Sequence, residues 1–249
     1  MEYLEFQNVD HIVLIVRFFN KIISEGTRII TMIQTVKCLN LNTCPVNEEE
    51  QNSGAYLDIK DFTLHFKSLT NLHMKGLRIA DKLGEVIAAC RRPEIKELNL
   101  EYNGIEPDFC LYFQHIINYE TLEHLNISHN WIGMQGIEHM INHFKRFKNL
   151  KVLNLSSNKL FMMSDRRTEN FRDMLLDVAG TLEDLNLSEN SMEKEDFEII
   201  TRALIQMPNL KNLNLNVNRI WGPSLRQFLD QYIANQDINQ LSLEELLLK

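Results

Sequence analysis

The sequence has few of the residues that build common chemical sites. Its 249 residues include only four cysteines, whose scattered spacing does not match the paired CxxC motifs of a structural zinc site. Nine glycines leave little room for a phosphate-binding loop, and the chain contains no GxSxG or HExxH motif. We therefore predict a protein that is not an enzyme and that has no catalytic, cofactor-binding or metal-binding residues.

Positive charge and long apolar runs are also scarce. Asp and Glu outnumber Lys and Arg by 34 to 26, which gives a formal net charge of −8. Binding to nucleic acid or to an anionic membrane needs clustered Lys and Arg, so neither partner is expected. The early apolar run at residues 12–16 is too short for a signal sequence or a membrane span. These features predict a cytoplasmic location.

A nine-residue pattern recurs along the chain. Positions 1, 4 and 6 of the pattern are apolar, position 9 is asparagine, and the other positions vary. Five copies are nearly perfect and start at Ile95, Leu122, Leu150, Leu182 and Leu210. Weaker copies start at Val36, Leu69 and Ile238, and a doubtful one starts at Val9. Apolar residues at helical spacing lie between the copies, as in Phe171, Met174, Leu175 and Val178, which predicts one helix behind each strand.

This pattern resembles the leucine-rich repeat, and its period of 26 to 33 residues is similar to the ribonuclease-inhibitor-like type of that family. The resemblance implies an α/β solenoid, a horseshoe with a parallel sheet on the concave face and helices on the convex face. We expect a single domain over residues 1–249 with about eight to nine repeats, degenerate over 1–68 and regular over 69–249. Strands are predicted near 97–101, 124–128, 152–156, 184–188 and 212–216, with weaker ones near 38–42, 71–75 and 240–244.

Two series of asparagines have different predicted roles. A side-chain amide both donates and accepts hydrogen bonds, so the stacked asparagines at position 9 are expected to hold the turn that leaves each strand. The second series, at position 5, comprises Asn99, Asn126, Asn154, Asn186 and Asn214. Strand alternation turns these side chains to the concave face, where we expect them to contact solvent or a partner. Replacing Asn154 is then predicted to cost well under ~1 kcal/mol.

The concave face supplies the candidate binding residues, because positions 3, 5 and 7 share that face. The predicted protein-binding residues are Glu97, Glu101, His124, Asp184 and Asn212, together with Trp131 and Trp221 in the strand-exit turns. Tryptophan is strongly enriched in interface hot spots. The five regular copies place three carboxylates and no Lys or Arg on the face, which favours a basic or hydrogen-bonding partner segment. His139 and His143, four apart on a predicted helix, are expected to pack rather than to bind zinc.

Three leucines near the C-terminus, Leu246, Leu247 and Leu248, follow the last predicted strand directly. The sequence leaves no room for a closing helix there, and solenoid ends normally need a polar cap. We predict that these leucines dock against a partner subunit or a second copy. The alternative is that they fold back over the last repeat as a cap.

The resemblance implies a non-enzymatic protein-protein interaction module, a scaffold or a subunit of an intracellular hetero-assembly. The family includes repeat subunits of the dynein regulatory complex of cilia. The 26 asparagines and 24 isoleucines are typical of an AT-rich genome such as that of a ciliated protist, which favours a ciliary or cytoskeletal setting. The alternative is a GTPase regulator resembling the Ran GTPase-activating protein, for which Asp165-Arg166-Arg167 is the available arginine cluster.

Overall fold

Strands and helices alternate along the chain in the computed structural model, which describes residues 2–6, 12–24, 34–42, 55–78, 80–89, 94–113, 118–162, 167–220 and 222–235. The elements are β1 (Tyr3–Glu5), α1 (Ile12–Ser24), β2 (Cys38–Asn40), α2 (Ala55–Leu64), β3 (Asn71–His73), α3 (Ala80–Ala89), β4 (Glu97–Asn99), a 3-10 helix (Pro107–Tyr112), β5 (His124–Asn126), α4 (Gly133–Phe144), β6 (Val152–Asn154), α5 (Arg167–Asp177), β7 (Asp184–Asn186), α6 (Lys194–Leu204), β8 (Asn212–Asn214) and α7 (Gly222–Asn235).

The eight strands form one open sheet whose strand order follows the sequence, from β1 to β8. Every neighbouring pair is parallel, and the pattern copies align without a shift in register. The residue at position 4 of one copy therefore pairs with position 4 of the next, as in Leu125 with Leu153 and Leu153 with Leu185. This confirms an α/β leucine-rich repeat solenoid.

Strand alternation explains which side chains enter the core. Leu153 and Leu155, at positions 4 and 6, are fully buried against the helices, whereas Val152 and Asn154 between and beside them are half-buried on the other face. The same pattern repeats in every copy from β4 to β8. We call the side of the sheet opposite the helices the sheet face.

The helices bury one apolar stripe each, at the spacing that the sequence predicts. In α6, Phe197, Ile200 and Leu204 are fully buried. A capping box begins this helix: the side chain of Glu193 accepts from the third backbone N–H, and Asp196 Oδ2 accepts from the backbone N–H of Glu193. Phe197 and Phe228 meet edge to face at 5.6 Å, which joins α6 to α7.

The five strongest strand predictions and those near residues 38 and 71 are confirmed, although each strand is three residues long rather than five. The ninth, doubtful copy is wrong: residues from Ile12 onward form α1, and the first strand is Tyr3–Glu5. A short, continuous apolar run fits either a strand or a buried helix. Here burial of Ile12, Val13 and Val16 follows the helical spacing. The strand predicted near 240–244 lies outside the described residues.

The connection after β4 differs from the others because it contains a 3-10 helix, Pro107–Tyr112. Pro107 occupies its first turn, where the missing N–H has no helical partner to lose. Helix α4 packs against this segment so closely that a Cβ on Gly136 would lie 3.0 Å from Cys110 Sγ and 3.3 Å from Pro107 Cα. Glycine at 136 therefore permits the contact.

Candidate functional site

Four of the predicted binding residues lie in one row across the sheet face. At position 3 of successive copies, Glu97 pairs in register with His124, His124 with Val152, Val152 with Asp184, and Asp184 with Asn212. His124 and Asn212 are exposed, and Asp184 is half-buried. Neighbouring strands lie about 4.8 Å apart, so the row is continuous enough for one partner to contact several of its members.

Glu97 is already engaged by neighbouring side chains. Asn71 Nδ2 donates a short hydrogen bond to Glu97 Oε2, and His73 Nε2 lies 3.0 Å from Oε1. The hydrogen bond from His73 is the main reason that the pKa of Glu97 is lowered, with smaller contributions from the His73 charge, Asn71 and the nearby His124, against the opposing effect of burial. The carboxylate is therefore ionised and has its own partners within the sheet.

Glu101 is also neutralised within the chain, which the sequence analysis missed. Lys75 Nζ lies 2.8 Å from Glu101 Oε1, and Asn126 Nδ2 donates to Oε2 at 3.3 Å. Lys75 stands at position 7 of the degenerate copy that starts at Leu69, so a survey of the five regular copies does not include it. The aligned register of the sheet is the signal that places it beside Glu101.

The other half of the row has no such partners. Among the residues that the structure describes, no side chain forms a hydrogen bond or an ion pair with the side chains of Asp184 or Asn212. Both are held by a regular strand, with backbone N–H groups donating to Lys151 O and Glu183 O respectively. The candidate site thus divides into a self-paired part, with Glu97 and Glu101, and an open part around Asp184.

The asparagines at position 9 hold the fold, as predicted. Asn190 is fully buried, and its Nδ2 donates to the carbonyls of Leu155, Leu187 and Ser188 at 2.9 to 3.1 Å. Its Oδ1 accepts the backbone N–H of Asn158 at 2.9 Å. Each such asparagine therefore ties its own turn to the preceding copy, and none is available to a ligand.

The prediction for the position-5 asparagines needs correction. Asn154 Oδ1 accepts the backbone N–H of Ser156 at 3.1 Å and its hydroxyl at 2.9 Å. Ser156 is 5% exposed, so its N–H would lose its acceptor in a place that water barely reaches. Equivalent bonds join Asn126 to Ser128 and Asn186 to Ser188. These amides close the strand-exit turn with the oxygen and present only the NH₂ group to the sheet face.

Position 2, the residue just before each strand, carries alternating charges in successive copies. Glu123 lies 3.1 Å from Lys96 and 2.7 Å from Lys151, and Glu183 lies 2.5 Å from Lys211. Hydrogen bonds from these lysines lower the pKa of both glutamates, that of Lys151 being the larger effect on Glu123. The position-2 lysines are thus paired with glutamates of the same row, and the row carries no concentrated charge of one sign.

Trp131 lies away from the strand row, in the turn after β5. Its ring is 57% exposed, and Lys159 Nζ sits 5.2 Å from the ring centroid. Tyr102 and His129, both at position 8 and both at positive φ, stack on each other with ring centroids 4.2 Å apart. Trp131 is therefore exposed, on a different surface from Asp184.

Several other predicted residues lie outside the described part of the chain. Trp221, Leu246, Leu247 and Leu248 lie outside the described residues. Arg167 begins α5 with its Nε 3.6 Å from Glu138 Oε1, whereas Asp165 and Arg166 also lie outside the described residues.

The described part of the chain offers no metal centre and no membrane span. None of its His, Cys, Asp and Glu side chains form a group of three or more placed to hold a metal ion. Burial raises the pKa of the Cys110 thiol to about 12, so this cysteine is protonated. In the same residues, no helix has the length and apolar character that crossing a membrane requires.

Comparisons with known proteins agree with the repeat. Residues 120–139 match a family model described as Leucine Rich repeat, and residues 149–174 match a second model with the same description. Those segments contain the copies that start at Leu122 and Leu150, so the matches support a leucine-rich repeat protein. Among solved structures, a leucine-rich repeat protein of Leptospira interrogans is similar at 13% identity and a TM-score of 0.35, covering 82% of this chain and 72% of that one.

Proposed function

We propose that this leucine-rich repeat protein is a non-enzymatic protein-binding module, a scaffold or subunit of a larger assembly. The observation that carries the proposal is the open part of the row on the sheet face. There His124, Asp184 and Asn212 are held on a rigid sheet, and the side chains of Asp184 and Asn212 have no partner among the described residues. Rigidly held polar groups that already lack internal partners favour a complementary protein surface. Repeat proteins commonly use such extended surfaces for binding.

Trp131 extends the proposed contact to the turn that follows β5. An exposed tryptophan offers a large rigid area for contact at low entropic cost. Because Glu97 and Glu101 have partners within the sheet, we assign them a supporting role at the border of the contact rather than a direct one. We also propose that residues 1–249 act as one repeat domain.

Affinity purification from native cells, followed by mass spectrometry, tests this function. Asp184→Lys and Trp131→Ala should each lose a protein that the wild-type chain recovers. Asp173→Lys is the matched control, because Asp173 lies on helix α5 with its side chain 59% exposed, on the opposite side of the sheet. A partner that survives both sheet-side changes and is lost with the helix-side control would contradict the assignment of the surface.

The finer hypotheses rest on the sequence. A ciliary or cytoskeletal setting follows from composition and family resemblance, and localisation of a tagged chain tests it. Docking by Leu246, Leu247 and Leu248 stays a prediction, tested by truncation after Leu243: loss of assembly with unchanged stability supports docking, whereas easier unfolding supports a cap. For the GTPase-regulator alternative, the pairing of Arg167 with Glu138 is unfavourable. Acceleration of GTP hydrolysis in a panel of small GTPases would support that alternative.

A further inference from the structure

The position-5 amides of the sheet face have a fixed orientation. Asn154 Oδ1 accepts two hydrogen bonds from Ser156, and Asn186 Oδ1 accepts two from Ser188, at 3.0 Å from the backbone N–H and 2.8 Å from the hydroxyl. Because the oxygen of each amide is bound to the turn, rotation of the amide would break both bonds. The Nδ2 group is therefore held on the side that faces away from the turn, as a donor of known direction.

In two other copies of the sheet, the same donor meets a carboxylate of this chain. Asn126 Nδ2 donates to Glu101 Oε2 at 3.3 Å, and Asn40 Nδ2 donates to Glu5 Oε1 at 2.9 Å. Glu101 is the position-7 residue of the copy before Asn126. In the next two copies, position 7 is Ser128 and then Ser156, whose hydroxyls are turned to their own asparagines.

That change from glutamate to serine leaves donors without acceptors. Among the residues that the structure describes, none accepts a hydrogen bond from Nδ2 of Asn154 or Asn186. Asp184, which shares strand β7 with Asn186, has no cationic partner there either, because Lys151 is bound by Glu123 and Lys211 by Glu183. We call Asn154, Asp184 and Asn186 the open patch. It presents two oriented N–H donors and one carboxylate.

We infer that the open patch binds an extended protein segment that places a Lys or Arg side chain against Asp184 and main-chain carbonyl groups against the two amides. This inference rests on the proposed protein-binding function and specifies the partner. A cation supplies the charge that Asp184 lacks, and Arg pairs with a carboxylate through two parallel hydrogen bonds. A carbonyl is the neutral acceptor that every extended segment carries.

An acidic segment fits the donors but not their surroundings. Residues two apart on a strand are separated by about 6.7 Å, so a carboxylate held at Asn186 would lie near Asp184. That separation is within the Debye length of about 8 Å at physiological ionic strength, and the two negative charges would repel each other. The internal pair of Asn126 with Glu101 avoids this problem because Lys75 lies 2.8 Å from the same glutamate. The open patch has no equivalent lysine among the described residues.

Selection from a random peptide library displayed on phage tests the inference on the intact chain. We expect the selected peptides to be enriched in Lys and Arg, and a synthetic peptide from the selection to bind Asp184→Asn about tenfold more weakly than the wild type. Asp173→Asn on helix α5 is the matched control and should leave affinity unchanged. Asp184→Lys should select acidic peptides instead. Because Asp184 has no partner to lose among the described residues, the thermal melts of Asp184→Asn and Asp184→Lys should coincide with the wild type.

The donor role has its own variant. Asn186→Asp keeps an oxygen for Ser188 and replaces the outward NH₂ group by a second oxygen of similar size. At 0.5 M salt, where the Debye length is roughly 4 Å, the added charge attracts a cationic peptide only weakly, so this variant should still bind about fivefold more weakly than the wild type. Unchanged binding would overturn the role of the amide.

Two outcomes separate this inference from the function on which it rests. Enrichment of acidic peptides, or tighter binding by Asp184→Asn, would overturn the basic-segment inference and leave the protein-binding function intact. Failure to enrich any peptide, while Asp184→Lys still loses a partner from native cells, would show that the open patch recognises a folded surface rather than an extended segment. Indifference of every native partner to Asp184→Lys and Trp131→Ala would contradict the assignment of the surface, and recovery of no protein by the wild-type chain would count against the proposed function itself.

Discussion

Two asparagines at the same repeat position should respond very differently to alanine. Asn158 and Asn190 both stand at position 9, both are 0% exposed, and each donates its Nδ2 to three main-chain carbonyls. They differ at Oδ1. Asn190 Oδ1 accepts the backbone N–H of Asn158 at 2.9 Å and that of Leu160 at 3.3 Å. Asn158 Oδ1 is buried and accepts no hydrogen bond from the described residues.

The size of the difference follows from counting what each alanine leaves unpaired. Every carbonyl that either asparagine binds keeps a second donor, for example Leu187 O from Asn218 and Ser188 O from the N–H of Ser157. Asn158→Ala therefore orphans no backbone group, whereas Asn190→Ala orphans two N–H groups. A buried polar group without a partner costs about 1–3 kcal/mol, so Asn190→Ala should cost about 2–6 kcal/mol more. Both variants lose the same side-chain atoms, so the difference in unpaired N–H groups is the main difference between them.

Urea unfolding followed by circular dichroism measures this difference. We expect Asn190→Ala to unfold at clearly lower urea than Asn158→Ala, with the same m value for both variants. Asn212→Ala is the control for an exposed asparagine without a side-chain partner among the described residues, and it should stay within about 0.5 kcal/mol of wild type. Equal losses for the two buried asparagines, or a larger loss for Asn158→Ala, would refute the idea that orphaned N–H groups set the cost.

Four further changes probe the core, the turns, the packing of α4 and the sheet face. Leu153→Ala should lower the free energy of unfolding by about 2–5 kcal/mol, because it leaves a cavity in the core. Asn154→Ala should lower it by about 1–3 kcal/mol, because the backbone N–H of Ser156 loses its acceptor. Thermal melts measure both losses, and a negligible loss for Asn154→Ala would support the expectation from the sequence that this asparagine has little effect on stability. Gly136→Ala should destabilise by about 1–3 kcal/mol through overpacking, whereas Gly180→Ala, with no atom within 4 Å of the new Cβ, should be neutral or stabilising. Because the pKa of Glu97 is lowered on folding, its stabilisation is present above the ordinary glutamate pKa and is lost as pH falls through the folded value. Glu97→Gln should therefore flatten the acid side of the curve of stability against pH, and an unchanged acid side would contradict this.

The sequence was sufficient to predict the sheet because apolar position is a strong signal when it repeats. Leu125, Leu153 and Leu185 occupy equivalent places in successive copies and pair in register. The N-terminal strand was missed because Tyr3–Glu5 has no full copy of the pattern, and the longer apolar run that follows it drew the assignment to the wrong residues. A short apolar run does not distinguish a strand from a buried helix.

The sheet-face row was predictable from strand alternation, but its electrostatics were not. Whether Glu101 is a free carboxylate depends on Lys75, which lies in another copy 26 residues away and meets it only because the copies align. Similarly, residue type alone does not show that Asn154 Oδ1 accepts the backbone N–H of Ser156 in the turn, whereas Asn190 Nδ2 donates to the buried carbonyl of Leu155. Hydrogen-bond direction emerges from the backbone geometry of the turn, which the pattern of apolar residues does not encode.

The residue at position 7 decides which part of the sheet face is open to a partner. Where it is Glu101, the amide of the next copy has an internal acceptor, and Lys75 balances the charge. Where it is serine, the hydroxyl closes its own turn, and the amide of the next copy, as in Asn186, keeps a free donor beside Asp184. Partner contact should therefore concentrate between β6 and β8 rather than spread evenly over the sheet. Replacing Ser156 by glutamate would give Asn186 an internal acceptor, since the new carboxylate would stand to Asn186 as Glu101 stands to Asn126 and would compete with any partner acceptor.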